Sequence, residues 1–135
     1  MKTVIIDEYE VVHRGVSEFL ANSSFDVVAR CRTLPDYSQA VTDELMVDLI
    51  LTEVSVGGME LSRIFKTIRK QSGSAKVVVF SEFDDPSLIQ QAKDLGADGY
   101  ILKSVTSFEF VSKLQDLQCH GSIWSSDLTE PVSAL

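Results

Sequence analysis

The feature that most constrains this chain is a short apolar run, Leu49-Ile50-Leu51-Thr52, followed directly by the carboxylate of Glu53. Consecutive apolar residues without polar alternation are typical of a strand that is buried on both faces, as in a parallel sheet. Such a strand brings its last residue to the edge of the sheet where ligands bind. A lone Glu at this point is most simply the start of a solvated loop, so its interpretation depends on the rest of the chain.

Four further stretches have the character of strands, and segments with helical periodicity separate them. The strands are predicted over residues 3–6, 27–31, 76–81 and 98–102. Each right-handed crossover between parallel strands lays a helix on the sheet, so five such units imply helices on both faces. We therefore predict an α/β fold with three layers, a (βα)5 doubly wound parallel five-stranded sheet, in the common strand order 2-1-3-4-5.

The residue patterns also predict details of the turns and helices. Thr33 or Asp36 caps the second helix, Gly96 ends the fourth, and Gly57-Gly58 is a tight turn. On the first helix, His13 is expected on the exposed side. In the last helix, the predicted buried stripe leaves out Phe110 and consists of Phe108, Val111, Leu114 and Leu117.

The length and composition favour one globular domain in the cytoplasm. A chain of 135 residues buries about 70% of its unfolded surface, and we predict a domain over residues 1–120 with a linker or tail over 121–135. The net charge of −8 argues against nonspecific binding of nucleic acid, which needs clustered Lys and Arg. Cys31 and Cys119 form no metal spacing or disulfide framework, so reduced thiols are expected. No stretch has the length of a signal peptide or a membrane span, so we expect no contact with a membrane.

Polar residues follow four of the predicted strands, at the edge where parallel strands present their carboxyl ends. They are Asp7, Glu8, Glu53, Ser81 and Lys103. Carboxylates about 4 Å apart repel by about 4 kcal/mol at an effective dielectric near 20, so this crevice requires positive charge. A hard cation such as Mg²⁺ suits these oxygen ligands, and an ammonium with a hydroxyl beside it can contact phosphoryl oxygens. The pattern predicts an acidic pocket for a metal and a phosphoryl-like group.

Three segments then resemble a known family, the response-regulator receiver domains of NarL/LuxR-type two-component transcription regulators. Residues 7–16 resemble its acid-pair segment, residues 77–81 the strand that ends in its switch hydroxyl, and residues 96–103 its fifth-strand signature. The resemblance covers roughly residues 1–121 and implies the flavodoxin-like receiver fold. It implies these roles: Asp7, Glu8 and Glu53 as metal ligands, Ser81 and Tyr100 as switch residues, and Lys103 as the phosphoryl-contacting lysine.

Two features depart from the family pattern. Its phosphoacceptor is an Asp, whereas this chain has Glu53, and the following loop lacks the usual proline and is about three residues shorter. The extra methylene moves the carboxylate by up to ~1.5 Å, and misplacement by about 1 Å can slow a positioned reaction on the order of a hundredfold. We therefore expect impaired phosphorylation. Glu53 either imitates the phosphorylated state or only forms an ion pair with Lys103.

The leading hypothesis is an atypical receiver that regulates transcription independently of phosphorylation and is not an enzyme. The alternatives are a receiver that still forms its own acyl phosphate and a constitutive adaptor without a switch. Three intact acid ligands predict Mg²⁺ binding, whereas a Lys103–Glu53 pair that fills the crevice predicts weak or no binding. The expected partners are a second copy in a homodimer and a histidine kinase or other signalling protein. DNA is expected to be contacted only through an output domain outside this chain.

Overall fold

The computed structural model describes residues 1–42 and 44–124, and it contains the predicted parallel sheet. The elements, in chain order, are β1 (Lys2–Ile6), α1 (Glu10–Leu20), β2 (Asp26–Cys31), α2 (Leu34–Ala40), β3 (Leu49–Thr52), β4 (Ser55–Val56), β5 (Met59–Glu60), α3 (Leu61–Gln71), β6 (Lys76–Ser81), α4 (Pro86–Asp94), β7 (Gly99–Leu102) and α5 (Ser107–His120). The main sheet has the order β2-β1-β3-β6-β7, and all its neighbours pair in parallel. With β4 and β5 set aside as a separate hairpin, this is the predicted order 2-1-3-4-5.

The sheet has a hydrophobic core on each face, which confirms the three-layer arrangement. Helices α2, α3 and α4 pack on one face, and α1 and α5 pack on the other. The central strand β3 contributes to both, because Ile50 faces the first core while Leu49 and Leu51 face the second. All four residues of β3 are buried, as the unbroken apolar run predicts.

The predicted helix ends are largely confirmed. The Thr33 hydroxyl accepts a hydrogen bond from the backbone N–H of Asp36 and so caps α2. Gly96 follows α4 with a φ of 97°, a left-handed conformation that favours glycine. None of the helices in the described residues is long and apolar enough to cross a membrane.

The buried face predicted for α5 is wrong at its first residue, Phe108. Phe110 is fully buried, while Phe108 is 82% exposed in the first turn of the helix. The ring centroid of Phe110 lies 4.9 Å from that of Phe80 and 5.7 Å from that of Phe19. Phe110 lies four residues before Leu114 and seven before Leu117, the spacing of one helical face, whereas Phe108 lies six residues before Leu114 and so falls outside that face.

The predicted exposure of His13 is also wrong. His13 is only 1% exposed, and its Nε2 lies 2.7 Å from the backbone oxygen of Asp7. Because a carbonyl oxygen can only accept, Nε2 carries the proton and donates it to this bond. His13 therefore ties α1 to the end of β1.

The segment after Glu53 forms a small hairpin, of which only the turn was predicted from the sequence. Strands β4 and β5 pair through Ser55 with Glu60 and Val56 with Met59, so Gly57 and Gly58 form the predicted tight turn. Their φ angles are 58° and 77°, as the two-residue turn of a hairpin requires. Val56 is fully buried, and the hairpin is thereby fixed to the core beside the end of β3.

The chain after α5 folds back along the amino ends of the strands. The side chain of Ile123 fills the space beside Gly99, where an added Cβ would lie only 2.8 Å from it. The indole N–H of Trp124 donates to the backbone oxygen of Ala97 at 2.7 Å, so Trp124 is a packing residue. The remainder of the predicted tail, residues 125–135, lies outside the described residues.

Candidate functional site

Three strands deliver charged side chains to one crevice at the carboxyl edge of the sheet. Asp7 follows β1, Glu53 follows β3, and Lys103 follows β7. The backbone pairing continues past each strand: Asp7 N donates to Cys31 O at 3.0 Å, Glu53 N donates to Ile6 O at 3.2 Å, and Lys103 N donates to Ser81 O at 2.8 Å. The hydrogen bonding of the sheet therefore fixes the backbone positions of these three residues.

The ammonium of Lys103 bridges the two carboxylates. Its Nζ lies 2.8 Å from Glu53 Oε1 and 3.0 Å from Asp7 Oδ2. The three side chains, which we call the charged crevice, are 18% exposed for Lys103, 3% for Asp7 and 10% for Glu53. Burial by itself would lower the pKa of Lys103, but hydrogen bonds and charge from Glu53 and Asp7 outweigh it, and the pKa is raised. Lys103 therefore stays charged at neutral pH.

Backbone N–H groups bind the remaining oxygens of both carboxylates. Asp7 Oδ1 accepts a hydrogen bond from Tyr9 N at 2.9 Å, and Glu53 Oε2 accepts one from Val54 N at 2.5 Å. Each carboxylate thus has one neutral and one charged donor, the kind of partnering that buried charges need. Glu53 is folded back onto its own loop and fixed at both oxygens.

The structure does not bring Glu8 into the crevice. Glu8 is exposed, and its backbone oxygen accepts a hydrogen bond from Arg32 Nε at 2.9 Å. Within residues 1–42 and 44–124, no cluster of three or more His, Cys, Asp or Glu side chains is arranged to hold a metal ion. Lys103 already occupies the position between Asp7 and Glu53, so the residues in this arrangement do not fit the three-carboxylate Mg²⁺ site that the resemblance implies.

The two residues predicted to be switch residues meet at one loop residue beside the crevice. Ser81 is fully buried, and its Oγ accepts a hydrogen bond from Phe83 N at 3.2 Å. Tyr100 is also fully buried, and its hydroxyl donates to Phe83 O at 2.6 Å. Burial raises the pKa of Tyr100 to about 12, so the hydroxyl remains protonated and able to donate. Ser81 and Tyr100 together hold the loop that follows β6.

His13 and the amide of Val54 support the crevice, although neither role was predicted from the sequence. His13 holds the backbone of Asp7, and Val54 N holds the carboxylate of Glu53. The sequence does contain a signal for His13, because it lies at helical spacing with the buried residues Val16 and Leu20. No side-chain pattern could have identified a backbone N–H such as that of Val54.

Comparison with known sequences gives a family and relatives of greater length. The family model for the response regulator receiver domain matches residues 3–115. The response regulator protein VraR of Staphylococcus saprophyticus is 25% identical over 129 residues, which are 95% of this chain and 61% of that protein. The chain therefore spans about three fifths of the length of this relative.

Solved structures of low sequence identity share the fold. The isolated REC domain of RcsB from Salmonella enterica serovar Typhimurium, determined with the phosphomimetic BeF3⁻, matches with a TM-score of 0.80 at 20% identity. That match covers 89% of this chain and 89% of the other. A structure of two RcsB dimers bound to two parallel DNAs matches with a TM-score of 0.80 at 21% identity, over 90% of this chain and 62% of that one.

Proposed function

Since this chain belongs to the response regulator receiver domain family, we propose that it is a receiver of NarL/LuxR type that regulates transcription without being phosphorylated. In this proposal Glu53 takes the place of the acceptor Asp and holds the domain in one state. The domain is then a signalling module and not an enzyme.

The observation that carries the proposal is the position of Lys103. The ammonium that the family pattern assigns to the phosphoryl group is already bound to Glu53 at 2.8 Å and to Asp7 at 3.0 Å. A phosphoryl donor would have to separate these charges in a largely buried crevice, and removing a partner from such a pair is costly. The Glu53 carboxylate thus supplies, without a kinase, a negative charge that Lys103 would otherwise receive from a phosphoryl group.

The buried hydroxyls beside the crevice support a single held state. Tyr100 and Ser81 both bind the backbone of Phe83, so the loop after β6 is fixed in one conformation. An equilibrium between two states requires differential contacts, and these hydrogen bonds favour the state in which Tyr100 lies inside. The proposal does not need Mg²⁺, because Lys103 supplies the cation between the two carboxylates.

The partners in this proposal follow from the relatives. RcsB forms dimers on DNA, and a homodimer of this chain is proposed on that basis. DNA would be contacted only through an output domain, and the receiver surface would contact a histidine kinase or another signalling protein. Localisation to the cytoplasm belongs to the same proposal.

A constitutive adaptor is the second candidate, and the same ion pair favours it. If the Lys103–Glu53 pair only fills the crevice, the domain has no second state and serves as a scaffold. The two candidates differ in the effect of Glu53→Gln, which removes the charge and keeps the shape. A held switch should change its dimer fraction and the hydrogen exchange of residues 82–85, whereas an adaptor should change neither.

The decisive experiment is the intact mass after incubation with Mg²⁺ and acetyl phosphate, measured beside Glu53→Asp. Phosphorylation of the variant alone is expected, because shortening the side chain frees Lys103 and restores the acceptor. Phosphorylation of the natural chain would overturn the proposal. If neither protein is phosphorylated, the crevice cannot take a phosphoryl group with either residue, and the adaptor replaces the held switch.

A further inference from the structure

Helix α3 concentrates positive charge in a chain whose net charge is −8. The chain has 12 Lys and Arg residues, and α3 contains Arg63, Lys66, Arg69 and Lys70 but no Asp or Glu. The opposite face of this helix is buried in the core, so the cations are confined to the surface side. This concentration is unrelated to the charged crevice, whose only cation is Lys103.

The cations line a groove between α2 and α3. The groove has a volume of about 690 Å³, and its lining, which defines the basic groove, is Ser38, Arg63, Lys66, Thr67, Lys70 and Gln71. Arg63, Lys66 and Lys70 are exposed, and none of them forms an ion pair with another described residue. Arg69 differs from them, because its guanidinium donates to the backbone oxygens of Gly73 and Ala75.

The spacing of these cations works against the helix that carries them. Arg63 and Lys66 are three residues apart, and Lys66 and Lys70 are four apart, the spacings at which like charges destabilise a helix. Arg63 also lies in the first turn of α3, where the helix dipole disfavours a cation. The dipole favours Lys70, which lies in the last turn, so Arg63 and Lys66 are the positions that break a local rule without an internal compensation, as is expected at functional sites.

The walls of the basic groove are fixed to one another. Gln71 Nε2 donates to Ser38 O at 3.1 Å and to Val41 O at 2.8 Å, which joins α3 to the end of α2. Below the groove, the hydroxyl of Tyr37 and that of Ser72 are 2.6 Å apart in a buried hydrogen bond. The three cations therefore extend from a rigid base, which reduces the ordering cost of binding.

We propose that the basic groove binds a short acidic segment of a partner protein, with carboxylates facing Arg63, Lys66 and Lys70. The stripe from Arg63 to Lys70 covers seven helical steps, or roughly 10 Å, which is the length of only a few residues of extended peptide. Ser38 and Thr67 give the groove a polar surface between the cations, suited to a hydrophilic segment.

A nucleic acid fits the same groove less well. The lining contains no aromatic residue on which a base could stack. Binding through phosphates alone needs many contacts along a long polyanion, and the net charge of −8 on the whole chain repels such a ligand. A short acidic peptide interacts mainly with the local cations, because interactions between exposed charges are largely screened beyond about 8 Å at physiological salt.

The test measures fluorescence anisotropy of a short fluorescein-labelled peptide of alternating Glu and Ser, beside a labelled DNA duplex. The triple variant Arg63→Glu, Lys66→Glu, Lys70→Glu reverses the sign of the charge in the basic groove. The matched control, Arg14→Glu, Arg30→Glu, Lys113→Glu, reverses three cations elsewhere and changes the net charge by the same amount. Circular dichroism melts establish that both variants fold.

We expect the natural chain and the control to bind the peptide, and the groove variant to lose at least about tenfold in affinity. Binding should weaken as salt rises from roughly 0.05 to 0.3 M. Equal losses in both variants, or no binding of the peptide by the natural chain, would overturn the proposal. Tighter groove-dependent binding of the duplex would also overturn it, and so would a change in sedimentation of the groove variant that identifies a second copy as the occupant.

Discussion

The charged crevice and the basic groove differ in whether their cations have anionic partners within the chain. In the crevice, one largely buried ammonium has two carboxylates within 3.0 Å, and both carboxylates also accept backbone N–H donors. In the groove, three exposed cations have no ion-pair partner among the described residues, and their neighbours on the helix carry the same sign. Every charged group of the crevice has partners within the chain, whereas the cations of the groove would find theirs only in an anion from outside. An internal charge pair suits a fixed state, and an uncompensated charge suits binding.

Removal of Lys103 should have the largest effect on this contrast. Lys103→Met leaves the carboxylates of Asp7 and Glu53 together in a buried site without a cation. Breaking a buried ion pair on one side typically costs about 3–5 kcal/mol of unfolding free energy. Urea denaturation of the variant beside the natural chain measures this loss.

Lys113→Met is the matched control, because Lys113 pairs with Asp116 at 3.8 Å on the surface and is 39% exposed. An exposed pair of this kind contributes about 0–1 kcal/mol. If the two variants lose equal stability, the crevice is no more than a surface ion pair.

Alkaline pH should destabilise the crevice region through two groups. Lys103 has a raised folded pKa, so its contribution is complete below the ordinary lysine pKa and is lost as pH rises through the folded value. Burial raises the pKa of Tyr100 to about 12, so above pH ~10 the unfolded state ionises first and unfolding becomes easier. For Tyr100 the loss reaches about 2 kcal/mol by pH 12.

The measurement is the unfolding free energy of the natural chain and of Tyr100→Phe, from neutral pH to pH 12. The variant cannot ionise at this position, so its stability should fall less steeply above pH ~10. Parallel curves for the two proteins would exclude Tyr100 as a source of the alkaline loss.

The smallest effect is expected in the basic groove, and it has the opposite sign. Lys66→Glu removes the repulsion with Arg63 and Lys70 and creates an attractive pair with Lys70 at the favourable i, i+4 spacing. The free chain should gain about 0.5 kcal/mol of stability while it loses affinity for an acidic peptide. Lys66→Gln separates the lost repulsion from the new attraction, since it removes the repulsion and adds no attractive pair. A loss of stability in both variants would mean that Lys66 already has a favourable role in the free chain.

The fold and most of the crevice could be predicted because both follow from where strands end. Asp7, Glu53 and Lys103 come directly after buried strands, and parallel pairing brings such residues to one edge. The strand order 2-1-3-4-5 follows from the same succession of strands and helices. The convergence of these residues is therefore a property of the alternating pattern of the sequence.

The remaining features depend on contacts between distant parts of the chain. Glu8 directly follows Asp7, but it is exposed while Asp7 is buried, and the sequence alone does not give this difference. Phe110 differs from such features, because its helical spacing with Leu114 and Leu117 already indicates the buried face on which the rings of Phe19 and Phe80 pack against it. The basic groove requires the spacing between α2 and α3. No local pattern contains these distances.

The position of Ile123 and Trp124 has a mechanical consequence. Ile123 lies against Gly99 at the start of β7, and Lys103 follows the end of the same strand. The strand is four residues long, about 13 Å, and is bonded along one side to β6. β7 thus connects the crevice to Ile123 through packing at Gly99 and the hydrogen bond from Ile123 N to Asp98 O at 2.8 Å. A displacement of Lys103 along this strand would therefore shift Gly99 and the Ile123 side chain that packs on it. Tyr100, the neighbour of Gly99 in β7, would move with them.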